Sequence, residues 1–136
     1  MSLFVQYGGQ YIANGSHIIS QALGTDFGSV AQGSPAVAHE FGLVNYSSPP
    51  VFVTAVQVPE GFEAQPSQPL PAELSQSSMG LTIRMLTAQP GAKAGTVIIS
   101  LLDDMGQPTD PFTFDIAGAV VAPALQHIQR TLLGVG

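Results

Sequence analysis

The sequence predicts an all-β chain of antiparallel layers, and three observations carry that expectation. Apolar residues recur with period two in five separate segments. Half-buried strands need that spacing, because successive side chains on a strand point to opposite faces. Turn-forming residues separate these segments at short intervals, and no stretch before residue 122 holds a convincing helical stripe. Short strands punctuated this way argue for a sandwich or a barrel.

The strand patterns follow in chain order. From Ala36 to Asn45, Val37, Phe41 and Leu43 share one face and Glu40 takes the other. From Val51 to Val58, Phe52, Thr54, Val56 and Val58 alternate with Val51, Val53, Ala55 and Gln57. The stretch from Glu63 to Ser78 holds three prolines and little alternation, so it reads as a long loop. At most it contains one short edge strand near Phe62 to Gln65. Met79, Leu81, Ile83 and Met85 form one face of a strand running to Thr87, with Thr82 and Arg84 on the other. Both faces are apolar from Thr96 to Leu102, which suits a central strand. Phe112, Phe114 and Ile116 point one way, and Thr113 and Asp115 the other.

Breakers stand between the runs: Asn14-Gly15, Gln32-Gly33-Ser34-Pro35, Ser47-Ser48-Pro49-Pro50, Pro59-Glu60-Gly61, Pro90-Gly91 and Asp103-Asp104-Met105-Gly106. After Pro123, Leu125, Ile128 and Leu132 have helical spacing. A linker and the first strand of a following module stay open as alternatives for residues 122–136, because short helices depend on tertiary packing.

Composition narrows the function. A chain of 136 residues fits one domain with a real core. Charged residues make up 9% of it, against about 25% in an average soluble domain. Hydrophobic residues reach 45%, which argues against a disordered chain. Three basic residues face nine acidic ones, for a net charge of −6. Arg84, Lys93 and Arg130 are scattered and build no basic groove, so phosphate-driven binding of nucleic acid is excluded. Attraction to an anionic membrane fails for the same reason. The longest apolar run, Val97 to Leu102, is far short of the ~20 residues of a membrane helix, so no membrane insertion is expected. The absence of cysteine removes disulfides, thiolate zinc sites and cysteine nucleophiles together. Met1-Ser2-Leu3-Phe4 opens without the basic region and apolar run of a signal peptide.

The ordered motifs resemble a known family. Gly24-Thr25-Asp26-Phe27-Gly28-Ser29-Val30 is followed by Phe41-Gly42-Leu43-Val44-Asn45, the run from Val51 to Val58, and Gly61-Phe62. Ala94-Gly95-Thr96-Val97-Ile98-Ile99-Ser100 and Pro111-Phe112-Thr113-Phe114-Asp115-Ile116-Ala117-Gly118 close the pattern. This arrangement is similar to the choice-of-anchor D repeat of bacterial surface proteins, a relative of the ASH (ASPM–SPD-2–Hydin) domains. It spans about residues 4 to 121. The resemblance implies an immunoglobulin-like β-sandwich of two antiparallel sheets with seven to nine strands over residues 1–121, followed by a tail over 122–136. It implies Phe27 in the core beside a tight turn at Gly28, and Phe41 at the core centre. It also implies Asn45 bonding turn backbone, and Phe114 and Ile116 on the last core strand before Gly118. Two departures mark a divergent member. Tyr46-Ser47-Ser48-Pro49-Pro50 replaces the usual Thr-Gly or Ser-Gly turn after Asn45, and the strand from Leu81 runs on to Ala88-Gln89-Pro90.

Residues able to do chemistry are few. His17, His39 and His127 are the only imidazoles, and His39 and its neighbour Glu40 point to opposite faces of a strand. They read as surface or edge positions. Asp103, Asp104 and Asp110 flank one loop and are the candidates for a calcium site, which needs six to eight oxygens. Their spacing matches no calcium loop, and Pro108 and Pro111 suit ordinary turn use. No Gly-x-Ser-x-Gly elbow and no phosphate loop is present. The triplets Asn14-Gly15-Ser16 and Asn45-Tyr46-Ser47 match a glycosylation signal that is common by chance. Tyr7, Tyr11 and Tyr46 are the candidates for a ligand-binding aromatic platform. The plainer reading is tyrosine half-buried at a rim.

The expectation is therefore a non-catalytic spacer or interaction module, with no cofactor, in a larger bacterial surface or secreted protein. Its partners would be other proteins or neighbouring modules. A carbohydrate-binding sandwich is the alternative.

Overall fold

The structure, a computed structural model, describes residues 3–122. Ten strands follow one another: β1 (Leu3–Tyr7), β2 (Gln10–Ile12), β3 (Asp26–Ala31), β4 (Val37–Asn45), β5 (Val51–Gln57), β6 (Phe62–Pro66), β7 (Ala72–Leu74), β8 (Ser77–Met85), β9 (Gly91–Leu102) and β10 (Phe112–Val121). They form two five-stranded sheets, a front sheet in the order β2-β1-β4-β8-β6 and a back sheet in the order β3-β10-β9-β5-β7. Residues 123–136, for which a helix, a linker or a further strand was open, lie outside the described residues.

The periodic segments become the expected strands. Phe41 and Leu43 of β4 meet Leu81 and Met79 of β8 in antiparallel register. β9 is the central strand of the back sheet, between β10 and β5, which accounts for its two apolar faces. Val37, Phe41, Leu43, Leu81, Ile83, Val97, Phe112 and Phe114 all belong to one core between the sheets. At its centre the rings of Phe41 and Phe114 lie 5.5 Å apart across the two layers. Gly118 sits where a side chain would not fit, since an added Cβ would collide with Met85 Sδ and lie 3.0 Å from Phe27 Cβ.

Four features differ from expectation. The stretch from Glu63 to Ser78 is not one long loop. It contains most of β6, all of β7 and the start of β8. β7 pairs with β5 over only three residues, Val51 opposite Leu74 through Val53 opposite Ala72, too few for alternation to stand out. Together with the equally short β2, it raises the count to ten strands. On β5 the register shifts between Val53 and Ala55, so Val51 and Val53 are buried before the shift, and Val56 and Val58 pack on the core after it. Such a bulge exchanges the two faces of a strand. β8 ends at Met85, short of Thr87.

Finally, β3 joins β10 in parallel, unlike every other pair. The chain leaves β2 at the edge of the front sheet and crosses to the open edge of the back sheet. There Thr113 N donates to Asn14 Oδ1 at 2.9 Å, Gly15 N donates to the Thr113 carbonyl at 2.7 Å, and Asp115 N donates to the Ser16 carbonyl at 2.9 Å. Residues 14–31 thus cover the free side of β10, with an excursion between them. Covering an unpaired strand edge removes a template for unwanted pairing.

The sheet pairings also locate the two ends of the described chain. Leu3 pairs with Asn45, and both lie at the end of the sandwich where β10 begins with Phe112. β10 runs away from that end, and Val120 pairs with Gly91 at the far one.

Candidate functional site

Residue parity on β1 divides the aromatic side chains into two groups. Leu3, Val5 and Tyr7 face the core side, and Phe4 faces outward. Tyr11 pairs with Gln6 of β1 and therefore shares the outer face with Phe4. Tyr46 follows β4 directly, at the same end of the sandwich.

These three rings converge. Phe4 lies 5.9 Å from Tyr11 in an edge-on arrangement and 5.6 Å from Tyr46 in a tilted one. The two tyrosine hydroxyls, Tyr11 Oη and Tyr46 Oη, share a hydrogen bond of 2.7 Å in which either can be the donor. Despite these contacts Phe4, Tyr11 and Tyr46 remain 45%, 54% and 55% exposed. They form one wall of a cleft of about 700 Å³, floored by Leu3, Ile12 and Phe112. Among the described residues, no charged one lines it. The bond with Tyr11 is the main reason that the Tyr46 hydroxyl holds its proton above the ordinary tyrosine range.

Asn45 fixes the position of Tyr46. Its buried amide donates to the Pro49 carbonyl at 3.0 Å and to the Leu74 carbonyl at 2.8 Å. Its Oδ1 accepts from Ser47 N at 3.0 Å and from Ser47 Oγ at 2.7 Å. All the polar capacity of a buried side chain is used to pin the loop after β4, in line with the role implied by the resemblance.

The sequence candidates therefore separate. Tyr11 and Tyr46 meet, and Phe4, which sequence reasoning passed over, completes the cluster. Its signal was its place between Leu3 and Val5, which puts a large ring on the outer face of a strand. Tyr7 is elsewhere. Its ring packs against Phe41 and His39 at centroid distances of 5.4 Å and lies over Gly24, where a Cβ would come within 2.6 Å. Tyr7 is on the inner face by parity and takes no part in the cleft.

Asp103 closes its own turn, its Oδ1 accepting from Met105 N and Gln107 N at 2.9 Å each. Asp104 and Asp110 are exposed. No group of three or more His, Asp or Glu side chains able to hold a metal gathers among the described residues. His39 and Glu40 do point to opposite faces. His39 stacks on Phe27 with ring centroids 4.2 Å apart, and its Nδ1–H donates to the Gly24 carbonyl at 2.7 Å.

One polar cluster has no signature in the sequence, because its members are far apart in the chain. Asp115 on β10 is bonded by His17 Nδ1 at 2.7 Å and by Thr96 Oγ1 at 2.8 Å. The His17 bond first, and the Thr96 bond second, hold the Asp115 carboxyl below the ordinary aspartate range. Both partners reach the carboxylate, and Thr96 bonds Asp115 rather than the imidazole. A nucleophile relay requires the hydroxyl to bond the base.

No protein-family model matches the sequence, and no curated protein matches it. Solved structures do match in shape. The ASH/PapD-like domain 7 of human CEP192 superposes with a TM-score of 0.56 at 12% identity, covering 89% of this chain and 86% of that one. The fold is an immunoglobulin-like β-sandwich, a shape it shares with that ASH/PapD-like domain. The same shape recurs inside enzymes. A family 123 glycoside hydrolase from Clostridium perfringens matches with a TM-score of 0.56 at 12% identity over 90% of this chain. The VesB protease of Vibrio cholerae matches with a TM-score of 0.54 at 11% identity over 76% of it. This chain spans only 28% of that hydrolase and 30% of that protease. Sandwich shape is shared between proteins of unrelated function, so function rests on the site.

Proposed function

We propose that this chain is a non-catalytic interaction module, of the choice-of-anchor D kind, within a larger bacterial surface or secreted protein. We assign its docking face to the cleft of Phe4, Tyr11 and Tyr46. The observation that carries this reading is the exposure of three mutually contacting rings above an apolar floor. Aromatic residues in such a position are the typical anchors of protein interfaces. A scaffold whose chain enters at one end and leaves at the other also suits a module set in series.

The chemistry of the cleft favours an apolar peptide segment over a sugar. Its rings are inclined to one another by 67° and 48°, so they offer no flat stacking surface. Both tyrosine hydroxyls are already bonded to each other, and Asn14 Oδ1 is occupied by Thr113 N. The polar groups left at the cleft are one tyrosine O–H and the Asn14 amide N–H2, set against three rings and an apolar floor.

The test is a screen of leucine- and isoleucine-rich peptides and of soluble glycans, read by chemical-shift changes. Peptide-induced shifts centred on Phe4, Tyr11 and Tyr46 are expected. Shifts centred there with glycans alone would favour the carbohydrate module. Turnover of a simple ester, peptide or glycoside, abolished by a surface substitution, would overturn the non-catalytic reading.

A further inference from the structure

We propose that the aromatic cleft of one copy receives the segment from Pro123 to Leu133 of a second copy, joining copies head to tail. This rests on reading the cleft as a docking face and names its occupant.

Geometry sets the direction. The cleft lies at the end of the sandwich where β1 starts, and β10 delivers the chain to the opposite end. From Phe112 to Val121 β10 covers about 30 Å, at ~3.3 Å per residue. The segment from Pro123 to Leu133 would span only ~17 Å as a helix, too short to return to the cleft of its own domain. Extended at ~3.3 Å per residue it would span ~36 Å and spend nearly all of that running back along the sandwich. A second copy placed end to end needs no return path. Its cleft then stands beside the point where the segment leaves, within reach of Leu125, Ile128 and Leu132.

The chemistry agrees with the geometry. The segment offers Leu125, Ile128, Leu132 and Leu133 and holds no acidic residue. The cleft offers an apolar floor, three exposed rings and, among the described residues, no charge. Arg130 lies in the segment, so the remainder of a chain with net charge −6 carries −7, and a segment of opposite sign is attracted to it. The exit end also exposes Leu86 and Val121, which adds apolar surface where two copies would abut.

A head-to-tail contact uses two different surfaces, so one defect on each of two chains can be complemented. The experiment uses two full-length variants, Tyr11→Ser/Tyr46→Ser in the cleft and Leu125→Ser/Ile128→Ser/Leu132→Ser in the segment. The two cleft substitutions fall on exposed positions outside the core between the sheets. Sedimentation over a concentration series should show the native chain forming species larger than dimers, and each variant alone self-associating at least ~10-fold more weakly. Mixing the variants should restore a one-to-one pair that grows no further, because only one cleft and one segment remain intact. A native chain that stays monomeric would overturn the proposal, as would a mixture that forms no pair. Segment substitutions that shift the cleft resonances of a monomer would overturn it too, by placing the segment in its own cleft. Leucine-rich peptides that still shift Phe4, Tyr11 and Tyr46 in any of these cases would leave the docking face standing and remove only its occupant.

Discussion

Two aromatic clusters in this molecule start from the same strand and reach opposite environments. Tyr7 joins Phe41, His39 and Phe27 inside the sandwich, and Phe4, three residues earlier, joins Tyr11 and Tyr46 at its surface. Both clusters use rings packed at similar distances. The difference is a parity step along β1, which turns one ring into the core and the other toward solvent. The inner cluster holds the layers together. The outer one contributes little to folding and leaves its surface open to a partner.

Substitutions can test that division, beginning at its centre. Phe41→Ala should cost about 3–5 kcal/mol in denaturant unfolding, because a fully buried ring leaves a cavity between the sheets. A loss below about 1 kcal/mol would show that the register of β4 is wrong, since a one-residue slip moves each side chain to the other face. Asn45 joins the two clusters, being buried itself while holding Tyr46 outward. Asn45→Ala removes the partners of two carbonyls and should cost about 1–3 kcal/mol. It should also broaden or shift the Tyr46 resonances, and an unchanged Tyr46 spectrum would deny Asn45 its positioning role.

In the outer cluster Tyr11→Ser and Tyr46→Ser should each change stability by no more than about 0.5 kcal/mol, as exposed positions usually do. A loss of several kcal/mol would make the cleft part of the core and end the contrast. The smallest effect belongs to the surface carboxylate. Asp115 is held below the ordinary aspartate range, so its ionised form adds stability that is complete above that range. The contribution is lost as pH falls through the lowered value. His17→Ala should raise the Asp115 midpoint toward the ordinary value, as followed by carboxyl-carbon chemical shift, with Thr96 keeping part of the depression. A midpoint that stays in place would assign the effect to Thr96 alone.

The fold was legible in the sequence where strands were long and one-sided. β4, β8 and β10 alternate cleanly against a single core, and β9 announces its central place by being apolar on both faces. β1 was obscured by Phe4, whose outward ring breaks the alternation of Leu3, Val5 and Tyr7. β3 was apparent only through the resemblance, because Gly28 interrupts it beside Phe27. β2 and β7 are too short to display a period. Of the cleft, Tyr11 and Tyr46 were legible as candidates by residue type, but their bond joins positions 35 apart and follows from sheet pairing, not from spacing. The Asp115 cluster stayed hidden for the same reason, its histidine lying 98 positions away.

The parallel seam between β3 and β10 bears on how the domain would carry a load. With the first strand anchored at one pole and the last strand leaving by the other, a pull on both termini runs along the strands. The ladder bonds of β10 to β3 and β9 would then be strained together, lengthwise, and would not open one after another like a zipper. A tethered molecule built this way resists stretching up to a single abrupt rupture. Gradual unravelling at low force in a single-molecule pull would contradict this.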